Sequence, residues 1–486
     1  MHLLAAAPGR IDDGASAIDL GQSPADIVVL SAADTEIALL AQARRRLGTA
    51  APATGQPTLR LANWLGLQHN FSVDLYLDRV LRHASLVVVR VLGGRGYWRY
   101  GVDRIVELAR ARAILLALLP GDDRADPELA ELSNLPAALR DRLWRYLAEG
   151  GPDNATQFLR TAAHALGRGP IGAEPVALAR AGIYLPGGGA TLTTAPVAAI
   201  VFYRSVVQSG DTAAIDALAQ ALADRGLDAR AFYVASLKDP TGAAEIRALL
   251  AEAAPAVILN ATGFALGTQA PGTRALSDPL AAADCPVLQV VLAGSSESDW
   301  RGATRGLGPR DLAMSVALPE LDGRILTRAV AFKGPLGRDP DTEAELVGHL
   351  PVADRVRFVA ELASAWARLR TTPWPERRIA LVLANYPTRD GRIGNGVGLD
   401  TPASTIEILR ALARAGANVE GAPGDGAALM ARLLAGPTND RRHAERRESG
   451  EALALADYAA FFARLPRAVQ EQVTARWGAP ERDPAF

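Results

Sequence analysis

The sequence predicts an α/β protein built of several units, each a parallel sheet with helices on both faces. Three observations carry this. Short, wholly apolar runs alternate with longer amphipathic ones along most of the chain. The short runs are apolar at successive positions rather than at every second one, which is the pattern of strands buried on both faces. The chain has 486 residues, more than one hydrophobic core can hold, so about two to four domains are expected.

Taken in order, the apolar runs at 27–30, 86–91, 198–202, 231–235, 257–260, 287–292 and 379–383 are the expected strands. Amphipathic spacing predicts helices at 35–47, 73–83, 102–108, 211–225, 243–254, 353–370, 404–415 and 427–435. Thr401 or Ser404 is placed to cap the helix at 404–415. Breaks are expected at Gly150-Gly151-Pro152-Asp153 and at Thr371-Thr372-Pro373-Trp374-Pro375. These give an N-terminal α/β domain at 1–150, a central one at 151–372, and the start of a further α/β domain at 373–486. The mixed-charge run 441–448 reads as a solvated loop or helix face.

Composition excludes several functions. The net charge is −1, so nothing favours nucleic acid or an acidic membrane surface. The single cysteine, Cys285, excludes an intrachain disulfide, a cysteine-ligated cluster and a multi-thiolate zinc site, and reads as a buried structural thiol. The histidines His2, His69, His83, His164, His349 and His443 show no metal-binding spacing. Lys238 and Lys333 are the only lysines among 52 basic residues, and neither lies in a Walker A loop. No motif therefore binds a cofactor here, and ATP, if used, belongs to another chain. The N-terminal residues lack a basic segment and a long apolar run, and no window spans a membrane, so a cytoplasmic location is expected.

Four polar loops follow expected strands, where α/β folds gather ligands. The first, Gly93-Gly94-Arg95-Gly96-Tyr97-Trp98-Arg99-Tyr100, joins aromatic faces to guanidinium groups. It suits a large, flat, acidic ligand, with Arg95, Tyr97 and Tyr100 as contacts, or else a glycine turn whose aromatics pack as core. The second is Asn260-Ala261-Thr262, whose Asn260 is a candidate contact or an ordinary polar strand end. The third is Gly294-Ser295-Ser296-Glu297-Ser298-Asp299-Trp300-Arg301. Its carboxylates, Glu297 and Asp299, are candidate bases, or else Ser296 and Glu297 simply cap and charge a following helix. The fourth, residues 385–404, is long and holds several glycines. Asn385, Tyr386, Asn395 and Gly396 are its candidate ligand contacts, because long ordered loops in compact domains tend to be functional, or else the loop serves only to position the next helix.

The run Asn385-Tyr386-Pro387-Thr388-Arg389-Asp390-Gly391-Arg392-Ile393-Gly394-Asn395-Gly396 resembles one family. So do Arg60-Leu61-Ala62-Asn63, Val88-Val89-Arg90-Val91-Leu92-Gly93-Gly94-Arg95-Gly96-Tyr97-Trp98, Ser209-Gly210-Asp211-Thr212, and the block from Leu288 to Lys333 around Arg305-Gly306-Leu307-Gly308-Pro309-Arg310-Asp311-Leu312-Ala313. In this order, over most of the chain, they resemble the large subunit of aerobic cobaltochelatase, a relative of the H-type large subunit of magnesium chelatase. Family members are much longer, so the resemblance implies an N-terminal part that is inactive alone. It implies ATP-dependent insertion of Co²⁺, a substrate, into hydrogenobyrinic acid a,c-diamide during aerobic cobalamin synthesis. The large subunit would hold this corrin-type tetrapyrrole. Two smaller subunits, one an AAA+ ATPase binding Mg-ATP, would drive the reaction. Ring N–H protons must leave as the metal enters, which gives Glu297 and Asp299 a use as bases. Ser295 and Lys333 fall in the resembling block as further substrate contacts. Asp400-Thr401-Pro402-Ala403-Ser404 looks more like the cobalt branch than the magnesium one. Composition and periodicity by themselves also allow a non-catalytic α/β ligand-binding module.

Overall fold

The computed structural model describes residues 16–50, 55–122, 124–186, 194–266, 278–385, 390–436, 438 and 453–482. It divides into two compact units, Met1–Arg370 and Thr371–Phe486. The first unit carries two sheets.

The first sheet has strands β1 (Ile27–Ser31), β2 (Leu59–Asn63), β3 (Leu86–Val91) and β4 (Leu115–Pro120) in the order β2-β1-β3-β4. All its pairings are parallel. Successive side chains point to opposite faces, so each strand feeds two cores. Val28, Leu30, Val87, Val89, Leu116 and Leu118 pack with helices Asn70–Arg79 and Arg99–Arg112. Ile27, Val29, Leu86, Val88, Ala117 and Leu119 pack on the other face with helices Asp34–Ala50, Ala137–Glu149 and Pro152–Ala165. The helix after the expected break at 150–153 thus still belongs to the first sheet's core.

The second sheet comprises β5 (Ala181–Tyr184), β6 (Val197–Tyr203), β7 (Asp228–Val234), β8 (Val257–Asn260), β9 (Val287–Ala293), β10 (Ile325–Arg338) and β11 (Glu345–Pro351). Its order is β11-β10-β9-β8-β6-β7-β5. The five inner strands are parallel, and the edge strands β5 and β11 run antiparallel to their neighbours. Helices Ala213–Ala223 and Ala353–Thr371 cover one face, and Pro240–Ala253 covers the other.

The β10–β11 hairpin joins the two sheets. Ala344 and Leu346 are buried in the core of the first sheet. Leu61 of β2 donates its N–H to the Thr342 carbonyl at 3.3 Å, and Arg60 Nη1 donates to the Asp341 carbonyl at 3.1 Å. Glu343 accepts from Arg60 at 2.7 Å and from Ser23, while buried Asp339 accepts from Arg45 at 2.8 Å. The hairpin tip therefore covers the open edge of β2.

The expected strand at 379–383 does not form a ladder. It lies in the second unit, whose described residues form helices, irregular segments and the isolated bridges Asn385↔Ile393 and Gly396↔Leu399. Ile379, Leu381 and Val382 are exposed. A run apolar on both faces needs flanking strands and covering helices, and the described part of this unit supplies no strand for it to pair with. The expected run 441–448 lies outside the described residues.

Candidate functional site

Each sheet has a crevice where its strand order reverses. In the first sheet this falls between the carboxyl ends of β1 and β3. One side is filled by Arg90, whose buried guanidinium is held by Glu36 and donates to the Pro120, Gly121 and Leu147 carbonyls. On the other side stands the expected aromatic–arginine loop. Gly93 and Gly94 have φ of 81° and 74°, a region that costs other residues strain. They turn the chain so that Trp98 stacks on Trp64 at 5.0 Å between ring centroids, and Tyr97 meets Trp64 edge-on at 6.1 Å.

The candidate residues of this loop fare differently. Trp98 is core, with Nε1 donating to the Leu67 carbonyl. Tyr97 is 53% exposed and presents a ring to solvent. Arg95 is spanned by Asp103 at 2.7 Å and Glu128 at 2.9 Å. Hydrogen bonds to these two carboxylates raise its pKa further above the ordinary value. Tyr100 donates to Asp74 at 2.8 Å, and this bond to the carboxylate raises the phenol's pKa. The loop offers a stacking face, but its polar groups already have neighbours.

In the second sheet the reversal falls between β6 and β8. Here the crevice is shut. Tyr203 Oη donates to the Gly263 carbonyl at 2.9 Å and accepts from the Gly263 N–H at 3.0 Å. Asn260 is buried behind it, donating to Gln289 Oε1 at 2.8 Å and accepting the Thr262 hydroxyl at 2.8 Å. A side chain closed into such a network serves the sheet, which is the plain strand-end alternative.

Beyond β9, Ser296 caps the helix Glu297–Gly302 by accepting from the Asp299 N–H, and its hydroxyl donates to Asp299 Oδ2 at 2.7 Å. Glu297 Oε1 accepts twice from Arg301, at 2.9 and 2.6 Å. Both carboxylates are thus engaged locally as cap and helix pair. Trp300 lies over Phe332 and is flanked by Arg355 at 4.4 Å and Arg301 at 5.6 Å from its ring. Burial, with Arg328 nearby, lowers the Arg355 pKa. Arg328 itself lies 3.5 Å from the Phe358 ring centroid. Guanidinium groups gathered on aromatic faces suit carboxylate-bearing planar molecules.

Ser295 and Lys333 are brought together: the Ser295 carbonyl accepts the Lys333 N–H at 3.0 Å. Lys333 Nζ reaches Asp34 at 3.1 Å, and Asp34 also accepts from Asn63 at 2.7 Å. Across the hairpin from Lys333 is His349, whose Nδ1 lies 2.6 Å from Asp211 Oδ2 and whose N–H donates to Oδ1. Burial pushes the Asp211 carboxyl up, but His349 and the charge of Lys333 outweigh it and leave it below its ordinary value. Sequence reasoning missed Asp34, Asn63, Asp211, His349, Arg328 and Arg355 as neighbours of candidate residues. Asp34 lies just after the expected strand at 27–30 and could have been found by that position, whereas Asn63 ends β2, a strand the sequence did not reveal. The others meet only through tertiary folding.

In the second unit, the 385–404 loop holds Gly394 and Gly398 at positive φ, 68° and 75°. Gly396 is close-packed: a Cβ there would lie 2.8 Å from Thr401 Oγ1. Asn395 is exposed, and Asn385 Oδ1 is a buried acceptor without a hydrogen bond. Tyr386 lies outside the described residues. Asp400, rather than Thr401 or Ser404, caps the helix Thr401–Arg414, accepting from Ala403 N–H at 3.0 Å. Among the described residues no group of three or more His, Cys, Asp or Glu side chains could hold a metal. None of the described helices is long and apolar enough to cross a membrane.

A profile of the CobN/Magnesium Chelatase family matches residues 144–485. The chain belongs to the CobN/magnesium chelatase family. It is 47% identical to the aerobic cobaltochelatase subunit CobN of a Sinorhizobium species, over 100% of this chain and 39% of that protein. It is 26% identical to the H-type magnesium-chelatase subunit of Rhodobacter capsulatus, over 74% of this chain and 32% of that one. A solved structure, the catalytic subunit of cobaltochelatase from Mycobacterium tuberculosis, superposes with a TM-score of 0.70 at 30% identity. That match covers 93% of this chain and 36% of the solved one. The α/β architecture of this CobN/magnesium chelatase family chain is therefore seen in a solved relative. The chain spans about two-fifths of the length of the Sinorhizobium relative it matches.

Proposed function

We propose that this chain is the part of a cobaltochelatase large subunit that helps hold a corrin-type tetrapyrrole while Co²⁺ is inserted. The observation that carries the proposal is the gap in identity: 47% to a cobalt-chelating relative against 26% to a magnesium-chelating one. The substrate would be hydrogenobyrinic acid a,c-diamide in aerobic cobalamin synthesis. ATP hydrolysis, and with it the ligase character of the reaction, would come from two smaller subunits, one of them an AAA+ ATPase.

The chemistry of the described surfaces supports this. The Tyr97 ring is an exposed stacking face in the loop after β3. Arg301, Arg328 and Arg355 around Trp300 and Phe358 suit the carboxylates at a macrocycle's rim. Lys333 and Ser295 stand on the adjoining strand end. Glu297 and Asp299 are accessible carboxylates beside that surface and remain the proposed acceptors for ring N–H protons. Within the second unit, taken by itself, Asn385, Tyr386, Asn395 and Gly396 remain proposed substrate contacts. Arg95 and Tyr100 act by fixing the loop that carries Tyr97. Asn260 holds the sheet.

Reconstitution tests the proposal. The chain is assembled with the remainder of a large subunit and both smaller subunits, then given ATP and either Co²⁺ with hydrogenobyrinic acid a,c-diamide or Mg²⁺ with protoporphyrin. Cobalt insertion with little magnesium insertion is expected. Efficient insertion of Mg²⁺ into protoporphyrin, with none of cobalt, overturns the proposal.

A further inference from the structure

The apolar run at 379–383, which forms no ladder, points to a protein interface. Residues 378–383 make no hydrogen bond among the described residues, so no described strand covers either edge of this backbone. Its side chains are apolar on both faces: Ile379, Leu381 and Leu383 alternate with Ala380, Val382 and Ala384. Val382 is 92% exposed. Beside it lies an open hollow of about 620 Å³ lined by Pro375, Glu376, Arg377, Arg378, Ile379 and Asn418. The surrounding unit has little core of its own. Its buried apolar side chains, among the described residues, are Ile406, Ala417 and Leu429.

Water-exposed backbone of this composition is an aggregation hazard unless another sheet accepts it. An edge strand would be apolar on one face. A run apolar on both faces fits the middle of a parallel sheet, with strands on both sides and helices above and below. In a second copy of this chain the same run would offer only another lone strand, and a two-stranded ribbon is marginal in water, while pairing with its edge strands β5 or β11 would leave the run an edge strand rather than a central one. Among the described residues of the second unit no strand supplies a receiving sheet. The curated relatives are more than twice as long as the stretch this chain matches, and the family match runs through this segment to residue 485.

We propose that residues 378–384 insert as a central strand into a sheet supplied by the part of a cobaltochelatase large subunit that this chain does not span. The insertion is a β-augmentation: main-chain hydrogen bonds give affinity, and the two apolar faces give specificity. It rests on the family membership and not on the metal or macrocycle.

The test mixes the full chain with a polypeptide comprising the unspanned part of the Sinorhizobium relative, without metal, macrocycle or ATP. Complex formation is followed by size-exclusion chromatography, and amide exchange is measured by mass spectrometry. The 378–384 amides should exchange at near-unprotected rates in the isolated chain and at least 100-fold more slowly in the complex. Val382→Asp should lower the affinity at least 100-fold. Because Val382 is exposed, the variant's circular dichroism and melting temperature should match the parent's. The proposal is overturned if no complex forms, if these amides stay unprotected within the complex, if Val382→Asp binds as tightly as the parent, or if the isolated chain already protects them by self-association. An intact complex that still fails to insert cobalt when both smaller subunits, ATP, Co²⁺ and the macrocycle are supplied would overturn the proposed function and leave this inference standing.

Discussion

Trp98 and Gly101 show how one residue constrains another at the first crevice. A Cβ on Gly101 would lie 2.1 Å from the Trp98 ring, far inside contact distance, and Trp98 is fixed by its stack on Trp64 and its bond to Leu67. Gly101→Ala should therefore destabilise the first unit by about 1–3 kcal/mol, the usual cost of overpacking. Chemical denaturation read by tryptophan fluorescence would check this, with an unchanged midpoint as the contrary result. Cys285 gives a second residue-scale expectation. Burial pushes its thiol pKa up to about 11, so at neutral pH almost none is thiolate. Alkylation by iodoacetamide should be much slower than for a free thiol and should rise steeply as the solution is made alkaline. A fast reaction at neutral pH would show an exposed, activated cysteine instead. The sequence context already suggested an inert thiol. It could not show that Arg95 and Tyr100 are tied by Asp103, Glu128 and Asp74, because those contacts cross between separate elements.

Among elements, the β10–β11 hairpin was the least legible. The strands found from sequence, such as Leu86–Val91 and Val257–Asn260, are nearly unbroken apolar runs buried on both faces. β2 was missed because Arg60 interrupts its apolar run, and that arginine is there to meet the hairpin. β4, Leu-Leu-Ala-Leu-Leu-Pro, lacks the β-branched residues that mark strands and suits a helix as well. The edge strand β11, and the end of β10 that pairs with β11 alone, carry Gly, Pro and charged residues. The run at 379–383 failed for the opposite reason. Its local signal is that of a strand, but the described chain offers it no neighbours. The hairpin's own carboxylates set its pH response. Burial pushes Asp339 up, yet the Thr342 bonds and Arg45 leave it below its ordinary value. Glu343 is likewise raised by burial and lowered further by Ser23, Arg60 and Arg338. A folded pKa below the unfolded one contributes stability above the unfolded value, and that contribution is lost as pH falls through the folded value. The hairpin should hold at neutral pH and loosen only below about pH 4, the ordinary carboxylate range. Asp339→Asn should lower the melting temperature at neutral pH and flatten its fall on acidification through that range. Parallel curves for the variant and the parent would rule this out.

For the whole molecule, the absent phosphate loop bears on energy supply. With only Lys238 and Lys333, neither in a phosphate-binding loop, the purified chain should hydrolyse no ATP above a mock preparation. Turnover that co-purifies with the chain through successive columns would contradict this. The clasp between the two sheets has a consequence in time as well as in space. Arg60 and the Asp341 it bonds are 281 residues apart. At ribosomal speeds of roughly 5–20 residues per second, the edge of β2 emerges about 15–55 s before its cover is synthesised. Nascent chains stalled before residue 325 should therefore carry a naked sheet edge, recruit chaperones, and release them once the hairpin has been translated.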